Sequence, residues 1–113
     1  MVGVTFMPRQ KSSKRLVQVD GMALDVEKSI LRRNGDEIHL TPKETKLMVL
    51  LMENVGKVVS RSELMQEVWN TEYLGDTRTL DVHICWLRQK IEDNPRILEL
   101  ILTRRGQGYE LRL

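Results

Sequence analysis

Apolar residues follow two periods along the chain, and the switches between them divide it. Between Leu16 and Leu40 the period is two. Leu16-Val17-Gln18-Val19 reads as a strand closed by the turn pair Asp20-Gly21. Met22, Leu24 and Val26 then alternate with polar or small residues, the pattern of a half-buried strand. Residues 29–33 and 37–40 flank Asn34-Gly35, a strong hairpin signal because a two-residue type I′ turn needs positive φ at both central positions. A small antiparallel sheet of three or four strands is predicted.

From Thr41 the period changes to that of a helix. Thr41-Pro42-Lys43-Glu44 is a capping box with proline at the first helical position. The helix it starts runs to about Asn54, stops at Gly56, and buries Leu47, Leu50 and Leu51. Val58-Val59 suggests a short strand. Ser60-Arg61-Ser62-Glu63 is a second capping box, followed by a short helix with Leu64, Val68 and Trp69 on its inner side and an end near Asn70. After the loop 70–75, the stretch DTRTLDVHICWLRQKIED predicts a third helix over 76–93, capped by Asp76 or Thr77. At 100° per residue, Leu80, Ile84, Leu87 and Ile91 fall within about 60° of one another. The opposite side holds Arg78, Thr79, Val82, Cys85, Trp86 and Gln89. A helix facing only solvent would not place Val, Cys and Trp there. The chain closes with a predicted hairpin whose tip is Arg104-Arg105-Gly106-Gln107-Gly108.

Composition narrows the class. A chain of 113 residues, 41% hydrophobic, is long enough for one folded domain. Residues 1–15, with Pro8, Ser12 and Ser13 among Arg9, Lys11, Lys14 and Arg15, show no apolar period and read as a basic linker or tail; 16–113 form the domain. The net charge of +2 points to no partner by itself. Its distribution is uneven: residues 1–33 carry seven Lys/Arg against three Asp/Glu, residues 34–72 four against seven, and residues 73–113 seven against six. That is compatible with one basic face. The single cysteine, Cys85, excludes an internal disulfide and suits a reducing cytoplasm. The longest apolar run, residues 47–52, is too short to cross a bilayer, and no membrane association is expected. No metal-ligand spacing, phosphate loop or paired catalytic carboxylates stand out, so neither an enzyme nor a cofactor is expected. His83 and Cys85 cannot form a catalytic pair, since positions i and i+2 point to opposite sides of a helix.

Helix, loop, helix and a basic β-hairpin form the plan of a winged helix, an α+β fold. Its last helix is of a size to enter the major groove of DNA, and its hairpin to reach a backbone or the adjacent minor groove. The residue types suit those tasks. Arg78 and Arg88 can pair with phosphate or guanine; Thr79 offers a hydroxyl or a methyl; Val82 and Trp86 can pack on thymine methyls and sugars. Arg104 and Arg105 sit among glycines, and Tyr109 can turn its hydroxyl to a phosphate while its ring packs inward. Roughly 4–6 phosphate contacts would give a log–log salt slope of about −4 to −5.

The runs LTPKETKLMVLLMENVGKVVSRSELMQEVW, DTRTLDVHICWLRQKIED and LILTRRGQGYEL closely resemble the DNA-binding effector domain of the OmpR/PhoB family of two-component response regulators. The resemblance covers about residues 16–113. It implies an N-terminal four-stranded antiparallel sheet, three helices and a C-terminal hairpin wing, with double-stranded DNA as the partner. By the same resemblance, Trp69 touches the DNA backbone, and Arg78, Thr79, Val82, His83 and Arg88 contact phosphates or bases. Thr103 and Tyr109 contact backbone around the wing, and Arg105 enters the minor groove. The loop 70–75, with Thr71, Glu72, Tyr73 and Leu74, matches a segment that meets RNA polymerase. The implied mode is a domain monomeric alone that pairs head to tail on direct repeats. Cys85 and Trp86 depart from the family, standing where Arg or another polar residue is common. The length leaves no room for a phospho-acceptor receiver domain, through which alone a sensor kinase would act. The chain therefore reads as an excised effector domain, with a natural stand-alone form as the alternative.

Blander roles stand beside these. Trp69 can be plain core, Trp86 an unusual surface residue, and Arg104-Arg105 a solvated turn. Arg78 and Arg88 can be paired internally with Asp76, Asp81 or Glu92. Cys85 is either inert or a thiol whose oxidation alters binding. A different function class, a protein-interaction module, would use Val82, Cys85 and Trp86 as an apolar patch.

Overall fold

The computed structural model describes residues 5–7, 15–19, 21–71, 77–94 and 99–113. Two antiparallel sheets flank three helices. The first sheet is a meander of β1 (Thr5–Met7), β2 (Leu16–Val19), β3 (Met22–Asp25), β4 (Ile30–Arg33) and β5 (Asp36–His39), each paired with the next. Its last four strands are those predicted from alternation. β1 is an addition: residues 5–7, assigned to the tail on sequence, pair with residues 16–18 in register Thr5↔Gln18. Three residues are too few to carry a readable period, and backbone pairing along an open sheet edge does not require one. Asn34 and Gly35 take φ of 54° and 85°, with Arg33 paired to Asp36. That is the two-residue hairpin turn the dipeptide favours.

α1 (Pro42–Glu53) starts at the full capping box: Thr41 Oγ1 accepts from Glu44 N, and Glu44 Oε1 accepts from Thr41 N. α2 (Arg61–Trp69) starts where Ser60 Oγ accepts from Glu63 N, and ends at Asn70 in the left-handed conformation. α3 spans Arg78–Ile91, shorter at both ends than the 76–93 expected. Asp76, one candidate cap, lies outside the described residues. Thr77 occupies the N-cap position but makes no side-chain capping bond; its Oγ1 accepts instead from Arg61.

β6 (Val58–Ser60), β7 (Ile101–Arg104) and β8 (Gly108–Leu111) form the second sheet in the order β6-β8-β7. The C-terminal hairpin is therefore anchored to the short strand that leads into α2. Gly108 makes this possible, because a Cβ there would lie 1.9 Å from Val59 O.

The core runs between the sheets through α1. Leu47, Met48, Leu51 and Met52 are fully buried with Leu64 of α2, Leu24 and Leu31 of the first sheet, and Ile101 and Leu111 of the second. The α3 stripe of Leu80, Ile84, Leu87 and Ile91 joins them as expected. The C-terminal end of α3 is tied down at three points. Lys90 Nζ donates to His39 O and to the buried Glu44 carboxylate at 2.6 Å. Arg33 donates to Ile91 O. The carboxylate of Glu92 accepts the backbone N–H groups of Glu99, Leu100 and Ile101. A carboxylate at a helix C-terminus opposes the helix dipole, and these three charge-assisted bonds offset that. They also bring the chain back from the helix into β7.

Candidate nucleic-acid interface

With one side of α3 in the core, the other is left outward. Arg78, Thr79, Val82 and Trp86 are exposed on it, and His83 is half-buried. Val82 is 41% and Trp86 48% exposed, two of the four large hydrophobic side chains so placed among the described residues. The first turn of α3 thus offers a guanidinium and a hydroxyl, and the next two turns an apolar ridge.

The ridge is backed by a file of rings. Trp86 lies 5.0 Å from His83, centroid to centroid, and His83 lies 5.1 Å edge-on to Trp69. Trp69, at the end of α2, is half-buried against the core. Lys43 Nζ of α1 sits 5.7 Å from its ring centroid and donates to Val68 O. His83 Nδ1 is 2.8 Å from Thr79 O. A carbonyl can only accept, so Nδ1 carries the hydrogen there.

α3 and the wing are joined by two side-chain junctions. In one, Arg88 donates through Nε and Nη2 to Ile101 O at 3.2 and 2.9 Å, and through Nη2 to Thr103 Oγ1 at 2.8 Å. Its guanidinium also lies over the Tyr109 ring. In the other, Asp81 receives three hydrogen bonds. Arg61 gives two, at 2.8 and 3.0 Å, and the Tyr109 hydroxyl gives one at 2.6 Å. The Arg61 hydrogen bonds, reinforced by that of Tyr109, hold the Asp81 carboxyl below the usual carboxylate range. The bonds to Asp81 raise the Arg61 pKa. Burial, with the bond to Asp81, pushes the Tyr109 phenol up.

These junctions reassign several residues. The Tyr109 hydroxyl, expected to face phosphate, is turned to Asp81. Asp81, a candidate partner for Arg78 or Arg88, pairs with Arg61 instead, and Glu92 accepts backbone N–H groups. Arg88 and Thr103 are bonded to each other and to the β7 backbone. Arg104 forms an ion pair with Glu110 at 2.7 Å. Arg105 is exposed in the turn between β7 and β8. Cys85 is exposed, with Gln89 Nε2 3.8 Å from its sulfur. Of the predicted polymerase-facing residues only Thr71 is described; Glu72, Tyr73 and Leu74 lie outside the described residues. Sequence reasoning missed Arg61 altogether. The available signal was an arginine at the first position of α2 and an aspartate in the first turn of α3.

Residues 35–111 match the family described as "Transcriptional regulatory protein, C terminal". The chain is 47% identical over 88 residues to the sensory transduction protein RegX3 of Mycobacterium tuberculosis, covering 78% of this chain and 39% of that protein. It therefore spans about two-fifths of that relative's length. Among solved structures, it is similar to the DNA-binding domain of CpxR from E. coli, with TM-score 0.74 and 32% identity over 86% of this chain and 95% of that one. It is also similar to the response regulator DrrB, an OmpR/PhoB homologue from Thermotoga maritima, with TM-score 0.73 and 32% identity over 86% of this chain and 44% of that one.

Proposed function

The chain belongs to the OmpR/PhoB family of response regulators as a C-terminal transcriptional regulatory domain, and from this we propose that it binds double-stranded DNA sequence-specifically as the output of a two-component system. α3 lies in the major groove, and the wing, residues 103–109, lies along the backbone or in the adjacent minor groove. The observation that carries this reading is the pair of junctions made by Arg88 and by Asp81 with Tyr109. They make helix and wing one rigid surface while Arg78, Thr79, Val82 and Trp86 stay outward. A surface held this way needs little reordering on binding, which favours affinity.

Two kinds of contact residue are proposed. Arg78, Thr79, Val82, Trp86 and Arg105 meet DNA directly. Arg88, Thr103 and Tyr109 act chiefly by positioning the wing, although the exposed Thr103 can still reach a phosphate. Arg104 reaches phosphate by exchanging its bond to Glu110. His83 and Trp69 support Trp86. The domain is a monomer alone and pairs head to tail on direct repeats, and the loop 70–75 faces RNA polymerase. The reading places the protein in the cytoplasm, with a kinase acting through a receiver domain outside this sequence. Among the described residues no helix is long and apolar enough to cross a membrane.

Retardation of genomic fragments tests this. A subset of duplexes should be shifted, and shifted less as salt rises. The rival is a protein-interaction module that uses Val82, Cys85 and Trp86. Absence of any salt-sensitive duplex binding, with a protein partner competing at Trp86, would replace the DNA reading by that one.

A further inference from the structure

The apolar ridge on α3 is where this surface differs most from a plain cationic one. Val82 and Trp86 lie one turn apart, so their side chains are neighbours on the helix surface. Trp86 is also propped. His83 stands behind it, Trp69 behind His83, and Trp69 is seated on the core with Lys43 over its ring. His83 is itself fixed by its bond to Thr79 O. The indole is therefore 48% exposed and backed by a file of side chains from three helices.

An indole has one N–H donor and no acceptor, so it cannot make the bidentate bond by which arginine reads guanine. It does offer a broad apolar face. In the major groove the apolar group available to such a face is the 5-methyl of thymine. Even with the exposed Cys85, three side chains are too few for the roughly 1,000 Å² that a specific protein–protein interface buries. The ridge also follows directly on Arg78 and Thr79 along α3, continuous with the proposed DNA face. We infer that Trp86, held by His83 and Trp69, is a specificity-determining residue that with Val82 reads thymine methyl groups in the major groove. This rests on the duplex-binding reading above.

The test uses a duplex selected from a random pool, with each thymine replaced in turn by deoxyuridine, which lacks only the methyl. The wild-type chain should bind about fourfold more weakly for each methyl removed under the ridge, the factor expected for one buried methyl group. Trp86→Ala should lose the discrimination between thymine and uracil at the positions under the indole, leaving only any methyl under Val82. Trp86→Arg should shift the preferred base there towards guanine. Circular dichroism melts establish that both variants are folded, and the wild-type comparison needs no variant. Indifference of the wild type to every replacement, a selected site without thymine, or discrimination unchanged at every position in Trp86→Ala would overturn the inference while leaving duplex binding intact. Failure of the wild type to bind any duplex in a salt-sensitive way would overturn both.

Discussion

Replacing Asp81 by alanine should cost more than its half-buried position suggests. Its carboxylate holds together the start of α2, the start of α3 and the wing. The Arg61–Asp81 ion pair is bidentate, but the two side chains are 32% and 45% exposed. Solvent screening limits it to about 0.5–1 kcal/mol. The Tyr109 bond is different. That residue is only 5% exposed, and its hydroxyl donates at 2.6 Å to a charged acceptor. Removing the acceptor forfeits about 1.5–3 kcal/mol. The combined loss is about 2–4 kcal/mol. With a urea m-value of about 1–2 kcal/mol/M for a domain of this size, the unfolding midpoint should fall by about 2 M at unchanged m. Tyr109→Phe removes the same bond from the other side. The double variant should therefore be less destabilised than the two single losses together, with a coupling of at least about 1 kcal/mol. A midpoint shift under about 0.5 M, or strict additivity, would refute the junction as the link between helix and wing.

Three further outcomes follow from the same structure. Gly108→Ala should destabilise by about 3 kcal/mol or more by thermal melting, because the new Cβ would overlap Val59 O and force β8 away from β6. Stability should fall at both ends of the pH range, as read by urea midpoints. Because folding lowers the Asp81 pKa, its contribution is full above about pH 4 and lost as pH falls through the folded value; because folding raises the Tyr109 pKa, its contribution is full below about pH 10 and lost as pH rises through the folded value. Tyr109→Phe should remove the Tyr109 contribution to the alkaline limb and also make the acid limb shallower, because the Tyr109 hydroxyl helps hold the Asp81 pKa down. Arg105→Ala should weaken duplex binding by about 1–3 kcal/mol without moving the melting temperature, measured by anisotropy titration.

What was legible in the sequence was local chemistry. The Thr41 and Ser60 caps, the Asn34-Gly35 turn and the Leu80-Ile84-Leu87-Ile91 stripe each act within a few residues, and each appears where its residues predict. The second cap shows the Ser60 half of its box. What was not legible spans the chain. Arg61 and Asp81 are 20 residues apart, and Asp81 and Tyr109 are 28 apart. Nothing in the neighbourhood of Arg88 announces that its partners are Ile101 O and Thr103. Charged side chains on a helix were open to either phosphate or an internal partner. The choice depended on where the wing returned, which Glu92 governs by collecting the N–H groups of residues 99–101. The prop behind Trp86 was likewise invisible, since it needs α1, α2 and α3 in their final places.

Those internal partners change the electrostatic expectation for binding. With Arg88 bonded to the β7 backbone and Arg104 reaching phosphate only by giving up Glu110, fewer cations release counterions than the sequence suggested. Neutral donors such as Thr79 and Thr103 contribute affinity without that release. The slope of log K against log salt on a selected duplex is therefore the most direct measurement. With roughly 2–4 cationic phosphate contacts per domain it should lie at about −2 to −4, shallower than the −4 to −5 expected from composition of the face alone. A slope near zero, or no binding to any duplex, would contradict the claim that α3 and the wing form a DNA-reading surface.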